Sequence, residues 1–173
     1  MKKKYFLHIL FFCYCISAAQ NNTNFFDIAR KGTIEDAKQF LKTNPLAVNA
    51  VNEEGFSPLT LACYRGNNEV AKLIVESGGA VNHKSSSGTP LMACIVKGNN
   101  EMVKFLLLKD VDVNLTDENG MTALMYGAMF KNKDAVLLLL QKNADKTKID
   151  AKGKTAFEYA VFAGQEEIIN LLK

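Results

Sequence analysis

An all-α solenoid of helix-turn-helix units joined by β-hairpin-like turns follows from three features of this chain. The first is a six-residue phrase that occurs four times: Ser57-Pro58-Leu59-Thr60-Leu61-Ala62, Thr89-Pro90-Leu91-Met92-Ala93-Cys94, Thr122-Ala123-Leu124-Met125-Tyr126-Gly127 and Thr155-Ala156-Phe157-Glu158-Tyr159-Ala160. The second is its spacing. Pro58 to Pro90 is 32 residues, and Pro90 to Ala123 and Ala123 to Ala156 are 33 each. A fixed period of this size marks stacked supersecondary units. The third is a pair of short helical patterns in every period. Such helices are marginal alone and must bury their apolar stripes against neighbouring units, so stability comes from stacking.

Each unit opens on Ser57, Thr89, Thr122 or Thr155, whose hydroxyl suits a helix N-cap. Pro58 and Pro90 follow at the first helical position, where no N–H is needed. The first helix should end near Gly66, Gly98, Lys131 and Gly164, the place for a left-handed residue. The second helix carries Val70, Leu73 and Ile74, then Val103, Leu106 and Leu107, then Val136, Leu139 and Leu140. These spacings of three and four form one stripe. Gly78, Asp110 and Asn143 come next, all residue types that tolerate a left-handed cap. The links are Gly79-Ala80-Val81-Asn82, Val111-Asp112-Val113-Asn114 and Ala144-Asp145-Lys146-Thr147, and turns such as Asp117-Glu118-Asn119-Gly120 lead onward.

Thr89-Pro90-Leu91, Gly66-Asn67-Asn68-Glu69-Val70 and Val111-Asp112-Val113-Asn114 resemble the ankyrin repeat. The resemblance covers residues 24–173. It implies five units, at 24–54, 55–87, 88–119, 120–152 and 153–173, the outer two acting as caps. Phe25-Phe26-Asp27-Ile28-Ala29-Arg30-Lys31-Gly32 resembles a degenerate first unit, with Gly32 at the glycine position. Three departures stand out. Thr60, Met92, Met125 and Glu158 replace the family's histidine, which predicts a lost hydrogen bond to the capping residue and looser turns. One residue is missing between Gly88 and Thr89, which predicts an altered Ser85-Ser86-Ser87 turn. Lys131 replaces glycine, which predicts a strained helix end.

Residues 1–19 are predicted to be a signal peptide. Lys2-Lys3-Lys4 is a basic start, Tyr5 to Ile16 an apolar stretch broken by His8, and Ser17-Ala18-Ala19 a small-residue cleavage site. An uncleaved anchor is disfavoured because the apolar run falls short of the ~20 residues of a spanning helix. A lipoprotein is disfavoured because no small residues precede Cys13 or Cys15. The repeat domain is then 20–173. The basic start accounts for the whole net charge of +3, so the rest of the chain is neutral. That gives no electrostatic case for nucleic acid, whose binding depends on phosphate neutralisation. No membrane contact is expected once the signal is removed. The basic leader and the Lys/Asn-rich composition point to a bacterium and to a periplasmic or secreted protein.

Catalytic chemistry has few residues to use. After the leader one histidine remains, His83, in a turn, with no nucleophile beside it in sequence. Cys63, His83 and Cys94 lack the tight spacing of a zinc site, and no GxxxxGK phosphate loop occurs. No cofactor and no metal are expected. Asp110, Asp112, Asp117 and Glu118 are acidic neighbours that a solvated face explains better than weak calcium binding. Asn21-Asn22-Thr23 and Asn114-Leu115-Thr116 match the glycosylation sequon, with Asn114 also at the repeat's structural asparagine. Cys63 and Cys94 are expected to be buried free thiols, since packed helices lie 8–10 Å apart, beyond the ~7 Å a disulfide tolerates.

In the ankyrin family partners bind the turn tips and the exposed end of the first helix. The matching positions here are Phe56, Tyr64, Arg65, Val96, Lys97, Met121, Met129, Phe130, Lys154 and Phe162. Exposed positions filled by aromatics and Met, with Arg and Lys between, are the composition of an interface. The expected function is therefore a non-catalytic protein-protein interaction module, exported and monomeric, that holds another protein against its concave face. A secreted effector or toxin-neutralising inhibitor would use the same surface. An enzyme with its site in the groove is the reading from a different class, and the absence of a clustered His, Cys and carboxylate set argues against it.

Overall fold

A computed structural model describes residues 24–173. The predicted signal peptide with its cleavage site, Cys13, Cys15 and the first sequon lie outside the described residues. Among the described residues ten α-helices follow one another in pairs: α1 (Phe25–Lys31) and α2 (Ile34–Thr43), α3 (Pro58–Arg65) and α4 (Asn68–Glu76), α5 (Pro90–Val96) and α6 (Asn100–Leu106), α7 (Ala123–Met129) and α8 (Lys133–Gln141), α9 (Ala156–Ala163) and α10 (Glu166–Leu172). A short 3-10 turn, Pro45–Asn49, follows α2. The described residues form no extended strands, only isolated bridges at Ser85–Gly88 and Thr116–Thr122.

The helix starts are built as the hydroxyl positions predict. Ser57, Thr89, Thr122 and Thr155 accept the backbone N–H of Thr60, Met92, Met125 and Glu158. The replacements for the expected histidine are not idle, which corrects the expectation of a lost bond. The Met92 and Met125 sulfurs lie 3.4 Å from the N–H of Thr89 and Thr122. Thioether sulfur is a weak acceptor, yet it completes a reciprocal cap. Glu158 accepts both the N–H and the hydroxyl of Thr155 at 2.5 Å. Thr60 and Ser57 share a hydroxyl–hydroxyl bond of 3.0 Å.

The first helices α1, α3, α5, α7 and α9 stack in sequence, and the second helices lie behind them. The predicted stripe is core: Val70, Ile74, Val103, Leu106, Leu107, Val136 and Leu139 are buried, while Leu73 and Leu140 are partly buried. At the N-terminal end Phe25 stacks on Phe40 at 5.4 Å.

Polar ladders tie unit to unit. Asn67 donates to the Gly32 carbonyl at 2.9 Å, Asn99 to Asn68 at 2.6 Å and Asn132 to Asn100 at 2.9 Å. Asn49, Asn82 and Asn114 each accept a backbone N–H of the following unit, from Ala80, Asp112 and Asp145. Asn114 is thus a structural bridge, which explains its place in the repeat. Turn tips also join directly, through Glu118 N–H to Ser86 and Ala151 N–H to Asn119.

Several local expectations meet the backbone. Lys131 has φ 59° and Asn143 φ 58°, both left-handed. Gly32 is not left-handed; it is extended at φ −78°. Its value is close approach, since a Cβ there would lie 2.8 Å from Ile28 Cα. Asp110 is not left-handed either. The helix α6 stops at Leu106, and a tight turn with Val111 N–H on the Lys109 carbonyl redirects the chain. Leu108, just past the end of α6, is 78% exposed. The Ser85 turn is shorter than the others, as expected: Ser85 N–H meets the carbonyl three residues on, whereas Asn52, Asp117 and Asp150 reach four residues on.

Candidate protein-binding groove

The hairpin-like turns and the first-helix layer together form one side of the molecule, and cavities open along it, two of them lined by sequence-derived positions. The larger, of about 560 Å³, runs across α3, α5 and α7. Phe56 enters from a turn, Tyr64 and Arg65 from the end of α3, Val96 from the end of α5, and Phe130 from the cap of α7. Five of the ten sequence-derived positions therefore converge. The smaller, of about 420 Å³, lies between α7 and α9 and gathers Met129, Lys154 and Phe162. Repeat geometry explains the convergence, because equivalent positions on stacked helices fall into line.

Lys97 caps α5, and its ammonium sits 4.8 Å above the Tyr64 ring. Lys154 lies 5.6 Å from the Phe162 ring and 5.9 Å from Tyr159. Cation–π contacts of this kind keep charge and aromatic surface together on the face. Phe162 is 88% exposed, Phe130 47% and Tyr64 46%. Phe56 and Met129 are partly buried against the core, and Val96 is partly buried. Met121 is a correction: it is buried at 7% exposure. It follows the tip of its turn, where the chain re-enters the core, and its N–H is held by Asp117.

Other lining residues escaped the sequence reading. Arg30, Glu54, Met92 and Tyr126 line the larger cavity, and Lys131, Lys152 and Tyr159 the smaller. A signal for the tyrosines was present in the sequence. Asp117 and Tyr126 are nine apart, as are Asp150 and Tyr159, one repeat later. The structure joins each pair. One oxygen of Asp117 accepts the N–H of Asn119 and Met121, and the other accepts the Tyr126 hydroxyl at 2.7 Å. Asp150 does the same with Lys152, Lys154 and Tyr159, the last at 2.5 Å. Asp117 is therefore buried inside its turn, not part of a solvated acidic face. Tyr126 then presents its ring to the groove and stacks on Phe130 at 6.2 Å.

These bonds shift proton affinities. The Tyr159 hydroxyl and then the Lys154 N–H hold Asp150 below the usual carboxylate range. The bond to Asp150, then burial, push Tyr159 up to about 12. Burial, then the bond to Asp117, raise Tyr126. None of this activates a nucleophile; it locks turns. His83 Nε2 lies 2.8 Å from the Gly55 carbonyl, so that nitrogen carries the proton and ties two turns together. Among the described residues no group of three or more His, Cys, Asp or Glu could hold a metal ion, and no helix is long and apolar enough to cross a membrane.

A family model described as ankyrin repeats (3 copies) matches residues 25–117 and 97–173. The chain belongs to the ankyrin repeat family. Ankyrin repeats are protein-binding modules and generally carry no catalysis, so a groove of apolar and cationic side chains is the form of site to expect. The rat ankyrin repeat and SAM domain-containing protein 6 is 33% identical over 100 residues, 57% of this chain and 11% of that protein. Human protein phosphatase 1 regulatory subunit 27 is 27% identical over 101 residues, 58% of this chain and 66% of its own length. A putative ankyrin repeat protein of Rickettsia bellii is 37% identical over 67 residues, 35% of this chain and 40% of that protein. The matched repeats are thus a small part of the rat protein and under two thirds of the human one.

Proposed function

We propose that this ankyrin repeat protein is an exported, non-catalytic binding module that holds a partner protein along the groove and turn tips, acting as a monomer. One observation carries the reading of the surface: Tyr64, Phe130 and Phe162 stand exposed on one side of the stack and line, or lie beside, open cavities. Aromatic residues of this kind are where interface energy concentrates. The non-catalytic part is supported by the family and by the regulatory-subunit name of the human relative. Export is supported by the leader pattern of residues 1–19, and it places the site in the periplasm or outside the cell.

The test is truncation of the exposed rings. Phe130→Ala and Phe162→Ala should each weaken binding to a captured partner by about 2 kcal/mol or more, with circular dichroism unchanged. Two folded variants that bind like the parent would remove the groove as the site.

A further inference from the structure

Charge is unevenly placed on this molecule although residues 20–173 sum to neutral: on the second helices acids and lysines pair, Lys72 with Glu101 and Lys133 with Glu167, while the lysines of the smaller cavity have no carboxylate in its lining. The first turns of the second helices carry Glu35 and Asp36, Glu69, Glu101, Asp134, and Glu166 with Glu167. The groove side carries Arg30, Arg65, Lys97, Lys131, Lys152 and Lys154. The carboxylates of that side are largely committed. Asp117 and Asp150 are turned inward onto backbone N–H groups and tyrosines, Glu158 caps α9, and Asp27 faces Arg30 at 3.3 Å. Glu53 and Glu54 stand at the N-terminal end of the groove, and Glu118 on a turn tip between. The smaller cavity is lined by three lysines and no carboxylate, over Met129, Tyr159 and Phe162.

From this complementarity we infer that the occupant is an acidic, apolar-anchored peptide segment of the partner protein. Its anchor side chain fills the larger cavity, between Phe56, Met92 and Phe130. Its carboxylates lie over Lys131, Lys152 and Lys154. From α5, at the centre of the larger cavity, to the smaller one between α7 and α9 is one to two helix spacings, each about 8–10 Å. An extended chain rises about 3.3 Å per residue, so anchor and acidic run are about three to six residues apart. Opposite charges across such a surface set specificity and encounter rate. The inference rests on the groove being the binding site and adds the chemistry of what it binds.

A display library of random peptides of about twelve residues, panned against the full chain, tests it. Enriched peptides should pair a Leu, Ile, Met, Phe or Trp with an adjacent run of Asp and Glu. A synthetic peptide of that pattern should bind the Lys131→Glu/Lys154→Glu variant about tenfold more weakly or worse. It should bind Lys38→Glu/Lys104→Glu, on the second helices, like the parent. Its affinity should fall between about 0.1 and about 1 M salt, as the screening length drops from ~10 to ~3 Å. Enriched peptides without acidic bias that still lose binding with Phe130→Ala and Phe162→Ala would overturn the inference and leave the groove standing. Peptides indifferent to both sets of variants, or no enrichment at all, would overturn both.

Discussion

At Lys131 the backbone holds φ at 59°, where the matching Gly66, Gly98 and Gly164 hold 74°, 67° and 66°. A Cβ on any of those glycines would meet nothing within 4 Å. The cost at Lys131 is therefore conformational, not crowding, and a left-handed non-glycine residue costs roughly 1–2 kcal/mol. Glycine returns part of that gain through a freer unfolded chain. Lys131→Gly should stabilise the fold by about 1 kcal/mol, seen as a higher urea midpoint; an unchanged or lower one would refute it. Cys63 and Cys94 are free and fully buried. The Cys94 thiol beside it and then burial push the Cys63 thiol well up, which withholds the reactive thiolate. Both should resist a thiol reagent in the native protein and both should titrate after denaturation without reductant. A missing thiol would show a bridge.

The turns before α7 and α9 are closed by an aspartate that serves two N–H groups and a tyrosine hydroxyl at once. The pair sets a pH window with two ends. Asp150 has a lowered folded pKa, so its contribution is full above the ordinary carboxylate value of about 4 and fades as acid takes the pH through the lower folded value. Tyr159 is raised to about 12, so its contribution is full below the ordinary phenol value of about 10 and fades as pH climbs toward 12. Tyr159→Phe should lower the urea midpoint near neutrality and flatten the parent's decline above pH 10. A variant that keeps the parent's alkaline profile would show that the bond contributes nothing. This device was half legible: the Asp–Tyr spacing recurs in the sequence, but only folding shows that the side chains meet. The bond expected to be lost with the missing histidine is replaced, because sulfur, carboxylate and hydroxyl groups take over the cap.

Across the whole molecule, neutrality hides a local imbalance: on the second helices acids and lysines pair, as Lys72 does with Glu101 and Lys133 with Glu167, while Lys131, Lys152 and Lys154 line a cavity that holds no carboxylate. Composition sums the charges and so cannot see this. The proposed leader belongs to the same scale, since export would decide which partners the groove meets. Cleavage after Ala19 should give a soluble protein from the native host whose intact mass corresponds to a start at Gln20. A soluble species that retains Met1 would overturn export.

The repeat period, the helix pairs, the capping hydroxyls and the buried stripes were all determined by sequence alone, because each is a local pattern written several times. Part of the groove lining was legible too, since equivalent positions in stacked units must line up. What tertiary structure decided was exposure and partnership. Phe162 and Met121 are both apolar residues at predicted surface positions, yet one stands 88% exposed and the other is buried. Gly32 serves packing against Ile28 rather than a left-handed turn. Burial depends on how the next unit lies against a side chain, and that contact is set by residues a full repeat away.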